Sequence, residues 1–259
     1  MSKFSLDVLN RCVYPHFRNM DDDVLLGAVF GEDVALTRLG DETLASHVDP
    51  IVGAVEDIGW LAVHVACNDI ATCGAQVRWI LPLVLVPSIS DEDLLEKIMR
   101  DVARAADELN VAIIGGHTGY SANLSRPLVA VTALGVLTDR QPILTRGAQV
   151  GDHILITKGI ALEGTAILAN DFHKTARELG LSQMDIDEAR RLMGAVSVIP
   201  EAEILAQHGA TSMHDVTRGG LLETLLETSS LSDVGIQVHF DRIPIPAVVD
   251  RFGQAFDFD

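Results

Sequence analysis

Four acidic residues and two glycine-bearing loops carry the chemistry legible in this 259-residue chain. Asp69 lies near the middle of GWLAVHVACNDIATCGA, residues 59–75, with Asn68 beside it. That stretch is helix-length and apolar almost all round, which predicts a buried helix. A buried carboxylate needs a partner, several hydrogen bonds or a metal ion. Asp69 therefore points either into a cation site or, with Asn68, to the N-cap of a helix resuming after a short break. Asp33 and Asp49 fall at the ends of expected strands, where sheets present ligands and where aspartate also serves in turns. Gly115-Gly116-His117-Thr118 ends another strand; paired glycines let backbone amides approach a phosphate closely. His214-Asp215-Val216-Thr217-Arg218-Gly219-Gly220 precedes a helix start. It reads as an anion site made of helix amides and a guanidinium, or as an Asp-capped helix with an exposed arginine.

The elements that must position these groups follow from pattern. Residues 1–23 predict a helical arm broken at Pro15, and Val24–Val29, Asp33–Arg38 and Thr43–Val48 predict short strands. Asp49-Pro50 is expected to close the third of these. Trp79–Val86 is a buried strand, with Pro82 marking an edge or a bulge. Ser90 is the expected N-cap of an amphipathic helix reaching Asn110, with Asp91, Glu92 and Asp93 in its first turn. Val111–Ile114 leads into the paired glycines, and Pro127–Leu137 forms a long strand. Residues 138–150 form a polar linker that divides a domain over 1–140 from one over 141–259. Beyond it come the strand HILIT, a helix over Glu163–Asn170, helices near 174–180, 185–195 and 199–208, the helix LLETLLETSS and the strand GIQVHF.

Composition narrows the partners. The formal net charge is −18 with the nine histidines neutral. Such a chain repels nucleic acid and anionic membranes, so neither is an expected partner, and an anionic ligand needs a metal, a helix N-terminus or local arginines. The acidity also fits a salt-adapted source. Aromatic residues make up only 5% against 48% hydrophobic, so the core is built of Val, Ile, Leu and Ala. Cys12, Cys67 and Cys73 make no disulfide framework and read as structural thiols. With no signal peptide and no span of transmembrane length, the expected compartment is the cytoplasm.

GEDVA, HVDP, NDIATCGA, IIGGHTG, GDHILIT, EGTAILA and HDVTRGGL, in that order, resemble the aminoimidazole ribonucleotide synthetase-related superfamily. Its members include the purine cyclo-ligase, thiamine-monophosphate kinase, selenophosphate synthetase and the hydrogenase maturation factor HypE; DVTRGGL and EGTAILA are most similar to the HypE branch. The resemblance implies an α+β, PurM-like two-domain architecture. The N-terminal half would form a β-barrel across a homodimer, flanked by helices, beside a C-terminal α+β half. It implies ATP and Mg2+ as cofactors, with Asp33, Asp49, Asp69 and Asp215 as metal ligands. Asn68, Gly115, Gly116, His117, Thr118, Thr217, Arg218, Gly219 and Gly220 would bind ATP or its phosphates. His117 and Arg218 are the candidate catalytic residues.

Three departures shape the functional expectation. His117 stands where the family carries an acid after the paired glycines. Cys12 lies in no glycine-rich segment of the selenophosphate synthetase kind. No cysteine follows Cys73, whereas HypE proteins act on a C-terminal cysteine, and the C-terminal domain is expected to lack its last segment. The leading expectation is a HypE-like enzyme that phosphorylates an amide- or carboxylate-type oxygen of a small-molecule or protein-bound acceptor. The alternatives are a non-catalytic nucleotide-binding docking partner and a small-molecule kinase of the thiamine-monophosphate type.

Overall fold

The computed structural model describes residues 4–17, 21–138 and 140–258. The N-terminal arm contains α1 (Leu6–Cys12), and Pro15 sits in a 3-10 turn over Tyr14–His16. The arm's remaining residues, 1–3 and 18–20, lie outside the described residues. The strands are β1 (Val24–Leu26), β2 (Ala35–Leu39), β3 (Glu42–Ile51), β4 (Gln76–Val86), β5 (Ala112–Ile113), β6 (His117–Tyr120) and β7 (Leu128–Leu137). They form one sheet in the order β1-β2-β3-β7-β4-β5, with β6 also paired to β4.

Two strand expectations change. Asp49-Pro50 does not close β3: pairing to β7 runs on through Asp49↔Val131 and Pro50↔Ala130 to Ile51↔Val129. β2 leaves β3 at the Ala35↔Ser46 pair. Beyond it one edge of β3 has no strand beside it among the described residues, and an edge tolerates a residue without an N–H. Pro82 lies inside β4, between the stretch paired to β5 at Ile80 and that paired to β6 at Leu83. The bulge in β4 is instead at Val77/Trp79.

The next two elements are α2 (Ile58–Thr72) and α3 (Glu92–Leu109). Every residue of α2 is buried, because it lies between the sheet on one side and α3 on the other, as its all-round apolar sequence requires. No break occurs at Asn68-Asp69, so the capping alternative for these residues is set aside. α3 presents Ile98, Val102, Ala105 and Ala106 to α2 and ends in left-handed Asn110, whose neighbour Val111 donates its amide to Ala106 O. Ser90 is not the cap of α3: Asp91 occupies that position, and its carboxylate accepts from the Ser88 amide at 2.9 Å. Gly59 sets how closely α2 and α3 approach, since a Cβ there would lie 2.3 Å from Ile98 O. Gly59→Ala is expected to cost about 1–3 kcal/mol in urea unfolding, because backbone rather than a flexible side chain must yield.

The C-terminal half is helical among the described residues: α4 (Leu162–Asp171), α5 (His173–Glu178), α6 (Gln183–Arg191), α7 (Ile199–Gln207), α8 (Gly220–Ser232) and α9 (Ala247–Phe256). Ser182 and Asp185 form a reciprocal capping box on α6. Ala169, Ala176, Ile186, Ala189, Val248 and Phe252 make this half's own core. The expected strands HILIT and GIQVHF are not strands here. The strand-forming residues are present, but a strand exists only through hydrogen bonds to a neighbour, and neither segment has one among the described residues. No helix among the described residues is long and apolar enough to cross a membrane.

Candidate functional site

Polar clips hold the two halves together around the acidic residues. The Asn68 side chain donates to Val196 O at 3.0 Å and accepts from the Val198 amide at 2.8 Å. Glu32 accepts from the amides of Thr145 and Arg146 and from Arg146 Nε, at 3.1, 3.3 and 2.5 Å. Asp171 accepts from the amides of Val55 and Glu56 at 2.8 and 3.1 Å. Arg218 Nη2 donates to Pro50 O at 3.3 Å, bringing the segment before α8 against β3. Asn68 thus spends its amide group on fixing α2 to the C-terminal half.

Inside these clips four acids come from four segments: Asp33 from the β1–β2 loop, Asp49 from β3, Asp69 from α2 and Asp215 from the segment before α8. The charges of Asp215, Asp33 and Asp49, added to burial as the main cause, hold the Asp69 carboxyl well above the usual aspartate range. His47 Nδ1 bonds to the carbonyl of Asp33, which can only accept, so Nδ1 carries the proton. Its Nε2 then faces Asp69 Oδ2 at 3.3 Å as a lone pair. Burial also pushes the His47 pKa down. A neutral imidazole accepting from a protonated Asp69 satisfies both groups.

His214 is the cationic counterweight. Its Nδ1 lies 3.2 Å from Asp33 Oδ2 and 3.6 Å from Asp215 Oδ1, and its Nε2 lies 3.3 Å from Glu227 Oε2 on α8. The Nε2 contact lacks hydrogen-bond alignment and acts as an ion pair. Burial opposes the charge, but the close carboxylates of Asp215 and Glu227 and the charge of Asp33 outweigh it, and the pKa rises to about 10. Glu163 enters from the first turn of α4, which left-handed Ala161 starts. Burial, then the charges of Asp49 and Asp215, push its carboxyl up to about 7 against the opposing Arg218.

These shifts set a pH dependence. Glu163 and Asp69 bind protons more tightly folded than unfolded, so their contribution is full below about 4 and is lost as pH rises through the raised folded values. His214 contributes fully below about 6.5 and loses that contribution as pH rises through about 10. All three push in one direction. Without divalent cation, stability is expected to fall as pH rises from 5 to 9. The Glu163 share is on the order of 3 kcal/mol, and Mg2+ is expected to flatten the profile in urea titrations.

The residues suit a hard divalent cation. Asp33, His214 and Asp215 offer ligand atoms within 4.8 Å of one another. Asp215 Oδ1 is buried without a hydrogen-bond partner among the described residues. Oxygen-rich donors from converging segments match Mg2+ or Ca2+, while protonated His214 balances charge rather than ligating.

The glycine loops divide. Gly219, with φ of 92°, is the N-cap of α8, so Thr217, Arg218, Gly219 and Gly220 stand at a helix N-terminus beside Asp215. The other loop is not brought there within one chain. β6 begins at His117, opposite Leu83 of β4, and the neighbouring Pro82 shares a row with Val131 of β7 and Asp49 of β3. Three strand spacings separate His117 from Asp49, about 14 Å. Gly115, Gly116, His117 and Thr118 instead border an exposed hollow with Pro82, Met99 and Ile113. Cys67 and Cys73 are buried thiols pushed up to about 12 by burial, and they take no part in the site.

Residues 31–137 match the family described as AIR synthase related protein, N-terminal domain, and residues 149–255 match its C-terminal domain. The chain belongs to the AIR synthase related family. It is 30% identical over 222 residues to a hydrogenase expression/formation protein of Methanocaldococcus jannaschii, covering 83% of this chain and 63% of that protein. It is 34% identical over 235 residues to the carbamoyl dehydratase HypE of Cupriavidus necator, covering 86% and 61%. A structure titled hydrogenase maturation protein HypE in complex with ATP superposes with a TM-score of 0.68 at 24% identity, over 98% of this chain and 73% of that one. Selenide, water dikinases and thiamine-monophosphate kinases are further relatives. The fold is thus the two-domain, mixed α+β PurM-like fold of this AIR synthase related family. The chain spans less than two thirds of the length of the first two relatives described.

Proposed function

We propose that this AIR synthase related chain binds ATP with Mg2+ and phosphorylates an amide- or carboxylate-type oxygen, as a HypE-like enzyme. The observation that carries the proposal is the convergence of Asp33, Asp49, Asp69 and Asp215 beside the Arg218-Gly219-Gly220 helix start. The four carboxylates would hold Mg2+, which when bound neutralises phosphate charge. The amides opening α8 and the Arg218 guanidinium hold and orient phosphate oxygens. Glu163, titrating near 7, can take or give a proton at neutral pH. The burial of Asp69 and Asp215 keeps water from the cluster, so the remaining work is positioning and electrostatics. The chain is proposed to act as a homodimer. The exposed loop over residues 115–118 of one copy would then be free to reach the acidic cluster of the other, so His117 and Thr118 could still contact phosphate or acceptor.

The test is nucleotide turnover with Mg2+ in the presence of small primary amides and carboxylates, followed by phosphorus NMR. Release of ADP or AMP that rises with one acceptor class supports the proposal. Nucleotide that binds but is never consumed with any acceptor would leave the docking-partner alternative in its place.

A further inference from the structure

We infer that a hollow beside the segment joining the two halves binds a small organic monocarboxylate. The hollow has a volume of about 480 Å³ and lies where Arg140 to Ile143 pass between the ends of α2 and α7. Small-molecule sites have volumes of this order and collect where domains meet. Its walls are fixed. The Ile143 amide donates to Cys73 O and the Ala210 amide to Leu205 O, both at 3.0 Å. Pro142 locks its own φ and restricts Gln141 before it. Gly74 is left-handed, with φ of 81°, and a Cβ there would stand 3.6 Å from Ile143 and 3.9 Å from Ala206. Its bare backbone keeps the floor of the hollow open.

The lining selects the ligand. The chain carries 37 acidic residues against 19 lysines and arginines, yet among the described residues no carboxylate lines this hollow. Its charged group is the Arg140 guanidinium, which has no hydrogen bond or ion pair to any described residue. Gln141 and Gln207 add carboxamide donors, and Pro142, Ile143 and Ala206 supply an apolar wall. A planar guanidinium fork matches a carboxylate with two parallel hydrogen bonds. The apolar wall suits a short hydrocarbon body. A cation finds no counter-charge here, and one guanidinium in a chain of net charge −18 balances a monoanion but not a dianion. This inference stands apart from the nucleotide site, since none of these residues belongs to it.

The experiment is a titration read by amide NMR of the isotope-labelled 259-residue protein, without metal or nucleotide. The probes are isovalerate and benzoate, with isovaleramide as an uncharged analogue and inorganic phosphate as the competing oxyanion. Isovalerate or benzoate is expected to shift the amides of Gly74, Gln141 and Ile143 saturably. Arg140→Gln is expected to weaken that binding at least about tenfold, and isovaleramide to bind the unchanged protein as weakly. Ala206→Leu leaves Arg140 in place, puts a larger side chain into the hollow and is expected to remove the binding. The same spectra show whether each variant is folded. Neither carboxylate moving these amides, or binding that either variant leaves unchanged, overturns the inference. Phosphate that moves the same amides as strongly as the carboxylates also overturns it, because the hollow would then be a general anion site.

Discussion

Asp69→Asn is expected to abolish Mg2+-dependent nucleotide binding while raising the melting temperature of the metal-free protein. Both effects have one cause. Asp69 is buried on α2 with Asp215, Asp33 and Asp49 pressing on it, so its ionised form is costly until a cation arrives. Asparagine keeps the shape and can still donate to His47 Nε2, but it brings no charge to a cation. Metal affinity should fall by 100-fold or more, of the order of 3 kcal/mol. Metal-free stability should rise by about 1–2 kcal/mol, more at pH 8 than at pH 5, because burial and the neighbouring acids make Asp69 hold its proton more firmly than a free aspartate. Calorimetry at the two pH values checks this. A variant that binds Mg-nucleotide normally would show that Asp69 is not part of the cation site.

His214→Ala is expected to lose about 3–5 kcal/mol of stability at pH 7 without divalent cation, as does breaking a buried charge pair by removing one partner. The His214 side chain is 6% exposed and faces Asp33, Asp215 and Glu227 together. Its removal leaves these acids to repel one another with no cation among them. Mg2+ should recover part of the loss, because an ion held by Asp33 and Asp215 replaces the missing positive charge. Urea unfolding with and without Mg2+ reads both effects. A loss below about 0.5 kcal/mol would mean that His214 is neutral and merely packed.

How much of this is legible in the sequence varies with the range of the interaction. Asp69 stands out because one acid in a helix apolar all round violates a local rule, and such violations mark sites. Glu227 carries the same signal: it shares the buried face of α8 with Leu221 and Thr224, and that periodicity could have flagged it. His47, His214 and Glu163 sit in the quoted motifs HVDP, HDVTRGGL and EGTAILA, but their roles depend on tertiary neighbours that no spacing reveals. Asn68 illustrates the reverse, since a polar residue beside the key acid proves to be a clip between halves. The Gly115-Gly116 loop has the local form of a phosphate site, yet sheet order places it three strands from Asp49 within one chain. HILIT and GIQVHF have strand sequences, but pairing needs a partner strand, and a propensity cannot supply one.

The most direct measurement is isothermal titration of the protein with a non-hydrolysable ATP analogue, with and without Mg2+, at pH 6 and pH 8. The four-carboxylate site requires binding that depends on Mg2+, is tighter at pH 8 and releases protons as raised carboxyls such as Glu163 ionise. Binding of equal strength without Mg2+, or none under any of the four conditions, would contradict it.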